Sequence, residues 1–215
     1  DDVRKAVREQ LKGGADLIKV LATGAVLDER GDPGAAGFNP DEIQAAVHEA
    51  RKFGKYVAAH AHGIDGIRNA VAAGVRAAMA DAGIDDAADV HFVQVKCPLL
   101  VAQRIADADR RGAVVATRDT LKSMGLSRAA SALGAAVALA ELERSSLSEA
   151  DIGVNWALWS GRGSASAGIE LLNHEIVVMG MSPAWAGPLA IDHAVMADAV
   201  DIEPMSVRVA KVNLD

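Results

Sequence analysis

The sequence predicts an α/β fold, on three observations. Short apolar runs recur (DLIKVL at 16–21, YVAAH at 56–60, VHFVQV at 90–95, EIVVM at 175–179), longer stretches with helical spacing lie between them, and Gly or Pro marks many of the junctions. Over the first quarter of the chain the two kinds alternate, which is the rhythm of parallel βα units. Residues 2–12 place Val3, Ala6, Val7 and Leu11 on one helical side and stop at Gly13-Gly14. Residues 23–38 read as a Gly/Asp/Pro-rich loop. Asn39-Pro40-Asp41-Glu42 combines an N-cap, a proline at the first helical position and acids in the first turn, so a helix is expected from there to Lys52 or Phe53, ending at Gly54. Further helices are expected over 64–82 with a break at Gly74, over 99–110, over 127–142 and over 191–200. The small-residue stretch 157–168 reads as a loop.

With 215 residues and 22.2 kDa, the chain has room for one large domain or two small ones. Hydrophobic residues at 51% and charged residues at 24% exclude global disorder, and aromatics at 3% mean that the core is aliphatic. A net charge of −7 without any basic block argues against a nucleic-acid partner. No apolar run approaches the ~20 residues that span a bilayer, so no membrane partner is expected. The single cysteine forms no internal disulfide, and a reducing, cytoplasmic compartment is expected. The chain opens on Asp1 without an initiator Met, which reads as a fragment or a processed product. Residues 1–74 hold 10 Lys/Arg and 11 Asp/Glu, the remainder 12 and 18, a difference that supports a division near Gly74.

Lys96 ends the apolar run VHFVQVK. Burial disfavours the charged form of a lysine and so frees its amine to act as a base. A serine needs such a base to become a nucleophile. Candidates lie in SGRGSASAGIE, at Ser160, Ser164 and Ser166, where small residues let the backbone approach a ligand and amide groups can face an oxyanion. The competing interpretation is a strand-end lysine reaching solvent beside an ordinary turn.

Four stretches, MADAGIDDAADVHFVQVKCPLL (79–100), ATRDTLKSMGLSRAASALGAAVALAE (116–141), ALWSGRGSASAGIELLNHEIVVMG (157–180) and LAIDHAVMADAVDIEP (189–204), resemble the ring-opening amidohydrolases, the cyanuric acid hydrolase and barbiturase family. The resemblance covers about 140 residues and matches the middle one of that family's three similar domains. It implies hydrolytic opening of a cyclic imide or triazine ring at a site to which each domain contributes a lysine, an arginine and a serine around a pseudo-threefold axis. Carried over by motif, Lys96 of VQVKCP is the general base, Arg128 of SMGLSRAAS binds ring carbonyl oxygens, and Ser166 of SASAGIEL is the nucleophile, with Ser164 as fallback. Ala167 and Gly168 would supply backbone around the oxyanion. Arg162 is a weaker candidate for the ring's edge, against the alternative of a solvated loop arginine. The reaction implied needs no cofactor. One such set is present, so a working site implies a homo-oligomer, a trimer in the simplest case.

GADLIKVLATGAV (14–26), the helix PDEIQAAVHEARKFGK (40–55) and YVAAHAHGIDGIRNAVAAGV (56–75) resemble a different family, the metal-dependent amidohydrolases of the prolidase and imidazolonepropionase-like branch, which are (β/α)₈ barrels. That resemblance implies a metal-binding pair, Lys19 as a carboxylated bridging lysine and His60 as a ligand, with zinc as the metal; His62 is the less favoured histidine. The fold expected for the whole is an amidohydrolase-barrel-like βα fragment over 1–74, followed by one α/β domain of the cyanuric acid hydrolase type over 75–215. Three functions follow: a hydrolase opening a small cyclic amide by a Ser-Lys mechanism; a metal-dependent amidohydrolase acting on dipeptides or small amides; or a catalytically silent α/β oligomerisation module. Among other residues, Cys97 reads as a buried inert thiol, Trp156, Trp159 and Trp185 as core or interface anchors, Met179 and Met181 as core, and His48 as solvated. His91, His174 and His193 are scattered without ligand spacing.

Overall fold

The structure is a computed structural model that describes residues 2–23, 35–61, 63–198 and 200–206. Helix α1 (Asp2–Lys12) buries Val7 in a small apolar cluster with Ile18, Val20, Ala46 and Ala50. Gly14, at φ +88°, takes the left-handed conformation that ends the helix and turns the chain into strand β1 (Ile18–Leu21). Helix α2 (Pro40–Arg51) starts as its sequence predicts: Asn39 Oδ1 accepts from the Glu42 N–H and the Glu42 carboxylate accepts from the Asn39 N–H, each at 2.9 Å. Strand β2 (Val57–His60) pairs parallel with β1. Most of the 23–38 loop, and His62, lie outside the described residues.

Helix α3 (Ile64–Asp81) departs from expectation by running unbroken through Gly74. One interior glycine costs a helix about 1 kcal/mol relative to alanine, and here it serves packing, because a Cβ on Gly74 would come within 2.7 Å of Ile176 Cδ1. The expected boundary at residue 74 therefore lies inside one helix. Val71, Ala72, Val75 and Met79, on both sides of it, belong to the same core.

The chain continues through β3 (Val90–Pro98), α4 (Ala102–Arg110), α5 (Thr120–Ala138), β4 (Gly163–Gly168) and β5 (Glu175–Gly180). These strands form a sheet of order β4-β3-β5, with β4 parallel and β5 antiparallel to β3. Two expectations are corrected here. GSASAG at 163–168 is a strand, not a loop; it has no apolar alternation and is drawn onto the edge of β3, beginning with the Val93 N–H donating to the Arg162 carbonyl at 2.8 Å. Residues 191–196 are not helical, because this stretch is held by contacts to β3 and by a local turn in which Asp192 Oδ1 accepts from the His193 N–H at 2.7 Å.

Helices α3 and α5 cover one face of this sheet, and α5 lies close to α3 because residue 134 is glycine; a Cβ there would sit 2.8 Å from the Arg68 carbonyl oxygen. Val90, Val93 and Val95 are fully buried beneath the helices, each contributing about 1.5–3 kcal/mol. The opposite face carries the exposed side chains of Phe92, Val177 and Met179. Met179 is thus not core. Nor are the tryptophans: Trp156, Trp159 and Trp185 are all more than half exposed.

Arg162 is neither a solvated loop residue nor positioned for a ligand. Its side chain, 12% exposed, donates from Nε to Glu141 Oε1 at 2.9 Å, from Nη1 to the Ala87 and Val90 carbonyls, and from Nη2 to the Leu139 carbonyl at 3.2 Å. One guanidinium thereby ties the C-terminus of α5 to the starts of β3 and β4. Arg162→Ala leaves these acceptors unpaired and is expected to lower unfolding stability by on the order of 3 kcal/mol, read from the urea midpoint. Arg162→Lys should recover little, because a point charge cannot serve acceptors spread over several directions.

The first helix is docked by charge as well as by Val7. Glu49, 2% exposed, receives Arg8 Nε at 2.6 Å and Lys52 Nζ at 3.1 Å. The Arg8 hydrogen bond, followed by that from Lys52, holds the Glu49 carboxyl down at about 2. Because the folded value is depressed, the stability it lends is present above the ordinary glutamate value of about 4.3 and is lost as pH falls towards 2. Arg8→Ala should therefore move the acid-induced loss of helical circular dichroism to higher pH.

Candidate functional site

Lys96 and Ser166 are Cα partners in the parallel β3–β4 ladder, and Gln94 and Ser164 are partners one step earlier on the same face. Partner residues of such a ladder leave the sheet on the same side, from strands about 4.8 Å apart. Val93, Val95 and Cys97 point towards the helices and are fully buried, so Gln94, Lys96, Ser164 and Ser166 form a block on the open face. Lys96 and both serines are half-buried. On its other side Lys96 is the antiparallel partner of Glu175, so the lysine stands between a serine and a carboxylate.

Ser166 Oγ accepts a hydrogen bond from Gln94 Nε2 at 3.2 Å, and the same nitrogen donates to the Val95 carbonyl at 3.1 Å. A hydroxyl that accepts from an amide keeps its own proton free for a base. In this structure the hydroxyl's partner is Gln94, while the lysine shares its rung. Cys97, buried as expected, donates from Sγ to the Ser166 carbonyl at 3.4 Å.

The ladder's alternation sorts the rest of β4. Since Val93 bonds to Arg162, the N–H and C=O groups of Gly163, Ala165 and Ala167 face the free edge, whereas the amides of Ser164, Ser166 and Gly168 turn towards β3. Arg128, exposed on α5, reaches that free edge and donates from Nε to the Ala165 carbonyl at 3.1 Å. Its two terminal amino groups extend from this anchor. Of the two backbone candidates, Ala167 has the outward amide. Gly168 ends the strand with the Glu170 carboxylate folded against it, where a Cβ would collide.

Lys19 and His60 lie on adjacent parallel strands and share a face, Lys19 opposite Ala58 and Leu21 opposite His60; both side chains are exposed. Two ligands do not make a zinc centre, which in catalytic sites takes three from the protein. Among the described residues, the group of three His, Cys, Asp or Glu side chains with converging ligand atoms lies elsewhere, at His91, Asp192 and His193. These histidines are therefore not scattered: His91 Nδ1 is 2.9 Å from His193 Nδ1. His174 stays apart, and its burial holds its basicity below the ordinary histidine value.

Gln94 and Glu175 were not singled out in the sequence. Gln94 carried a usable signal, since it precedes Lys96 by two in a strand and so shares its face; Glu175 carried none, because only the antiparallel register brings it beside Lys96. A cavity of about 700 Å³ opens beside β2, α3 and the end of β3, lined by His60, Ile67, Leu100, Ser127 and His174. Lys96, Arg128 and Ser166 are not in it; they occupy an open surface.

Three comparisons bear on this arrangement. The sequence profile of the family described as amidohydrolase ring-opening protein matches residues 39–215. The chain is 62% identical over 145 residues to a cyanuric acid amidohydrolase of Bradyrhizobium sp. (strain ORS 375), covering 67% of this chain and 39% of that protein. It is 60% identical over 145 residues to the one from Azorhizobium caulinodans, covering 67% and 41%. The crystal structure of the cyanuric acid hydrolase from A. caulinodans superposes with a TM-score of 0.66 at 37% identity, over 95% of this chain and 71% of that one. The chain thus spans about two-fifths of the length of the curated relatives it matches. With its profile match, its sequence identity and its superposable α/β fold in agreement, this chain belongs to the ring-opening amidohydrolase family.

Proposed function

We propose that the open face of the three-stranded sheet is one sector of a ring-opening amidohydrolase site, acting on a small cyclic amide of the cyanuric acid or barbiturate class. The observation that carries this reading is the shared rung of Lys96 and Ser166, on a face that no described helix covers. The names of the relatives support the substrate class.

Ser166 Oγ attacks a ring carbonyl carbon while its proton passes to the Lys96 amine. The carbonyl electron pair moves onto oxygen, where the outward Ala167 amide donates to the oxyanion, with the backbone at Gly168 shaping the strand's end. Collapse of this intermediate breaks the ring C–N bond, and the leaving nitrogen takes the proton from the Lys96 ammonium. Water then attacks the Ser166 ester and passes a proton to Lys96; the bond from the acyl carbon to Oγ breaks, and Oγ takes that proton back from the Lys96 ammonium, which restores the serine alcohol and the free amine. Gln94 orients the Ser166 hydroxyl. Arg128, anchored on the Ala165 carbonyl, directs its terminal amino groups at carbonyl oxygens on the ring's rim. No step calls for a metal or an organic cofactor.

In the same reading, residues 75–215 are the hydrolase-type domain and residues 1–74 are a βα segment attached through α3. The complementary Lys/Arg/Ser sets come from further copies of this domain, three around an axis in the simplest assembly.

Ring opening of cyanuric and barbituric acid by the assembled protein tests the assignment. Ser166→Ala should lower kcat by about a thousandfold or more, while Ser164→Ala retains most of the activity. Arg128→Lys should raise KM more than it lowers kcat. Equal activity in Ser166→Ala and the parent, or no hydrolysis of either ring by the assembled parent, would rule the reading out.

A further inference from the structure

We propose that His91, Asp192 and His193 form a binding site for a zinc-class divalent cation, which clamps the C-terminal segment of the chain onto β3. This goes beyond the ring-opening reading and does not depend on it.

The strand is shaped for the purpose at His91. Val90 pairs with Gly180 and Phe92 with Met179, so β3 spends two residues against one on β5, and His91 is the extra residue of a bulge. Bulges re-aim a side chain out of the ordinary alternation. The other two donors arrive from a distant segment, with His193 lying 102 residues on in sequence and Asp192 just before it. That segment leaves β5 with the Met181 N–H bonded to the Asp89 carbonyl at 2.8 Å, and returns with the Ile191 N–H on Met181 Sδ at 3.5 Å. Asp192 and His193 are thereby brought back to the start of β3.

The donor set is two imidazole nitrogens and a carboxylate oxygen, a combination that suits zinc and its first-row neighbours. The three edges of the group are 2.9 Å between the two Nδ1 atoms, 3.4 Å from His91 Nδ1 to Asp192 Oδ1, and 3.9 Å from His193 Nδ1 to that oxygen. Tetrahedral zinc with ligands at about 2.0–2.2 Å requires edges of about 3.3–3.6 Å. The middle edge meets that requirement, and the others depart from 3.4 Å by 0.5 Å in opposite directions. The side chain of His193 stays 32% exposed and that of Asp192 23%, so water has access to complete the coordination. A cation at this point would bond the returning segment at Asp192 and His193 directly to the bulged strand.

The test uses the full 215-residue chain, stripped of metal and titrated with zinc alone by calorimetry, with cobalt as a spectroscopic substitute. One zinc per chain with a dissociation constant below about 1 μM, and a visible absorption band for the cobalt form, is the expected result. His91→Ala and His193→Ala should each weaken binding at least about tenfold. Asp192→Asn, which preserves shape, should weaken it too, and circular dichroism of each variant separates ligand loss from misfolding. His174→Ala, and Lys19→Ala with His60→Ala, should leave binding unchanged. The proposal is overturned by a parent chain that shows no saturable zinc uptake, by uptake that survives loss of both His91 and His193, or by uptake that follows Lys19 and His60.

Discussion

The register between β3 and β4 is the constraint on which the rest of the open face depends, because a slip of one residue would carry Ser166 and Ser164 to the helix side and bring Ala165 and Ala167 out. Strand β4 has little of its own with which to resist such a slip. Its six residues are glycine, alanine and serine, and among the described residues no further strand pairs with its outer edge. The register is held instead by contacts at its start and along its length. At the N-terminal end Arg162 spans Glu141, Ala87, Val90 and Leu139, and its carbonyl starts the ladder on Val93; further along, Cys97 Sγ reaches the Ser166 carbonyl and Arg128 the Ala165 carbonyl. The mostly covered Arg162 thus sets the register of the open face without lying on it.

The small residues of β4 serve the chemistry and the packing together. Towards α5, Ala165 and Ala167 leave room for the helix to lie close; towards the open face, the serine hydroxyls stand beside Gln94 and Lys96 with no larger side chain between them. Helices cover one face of the sheet, and the other carries exposed Phe92, Val177 and Met179 beside the polar block. These three lie together on the β3–β5 side of this block, an exposed apolar cluster of the kind that another protein surface can cover. The large cavity lies away from this block, so on a single chain the proposed site is a wall rather than a pocket.

Much of the fold was legible because local and global signals agree in it. The Asn39 capping box, the left-handed Gly14 and Gly54, and the start of β3 at Val90 all stand where the sequence puts them. The failures have a common origin in long-range packing. GSASAG lacks any strand signature, and only the edge of β3 makes it one. Gly74 looked like a helix stop and is a point of close approach for Ile176. The stretch 191–200 has helical spacing, but Asp192 and His193 are held beside His91 instead. Lys96, Arg128 and Ser166 were named through motif resemblance, and the β3–β4 ladder puts Lys96 and Ser166 on one rung; placing Gln94 beside them needed the strand period, and placing Glu175 needed the antiparallel register.

The central claim is that this face contributes one sector of a site completed by like domains. The mass of the native protein in solution, measured by light scattering across a range of concentrations, tests it most directly. Assembly at three times the 22.2 kDa chain mass is the predicted result; a monomer that persists at the highest concentration reached would contradict it.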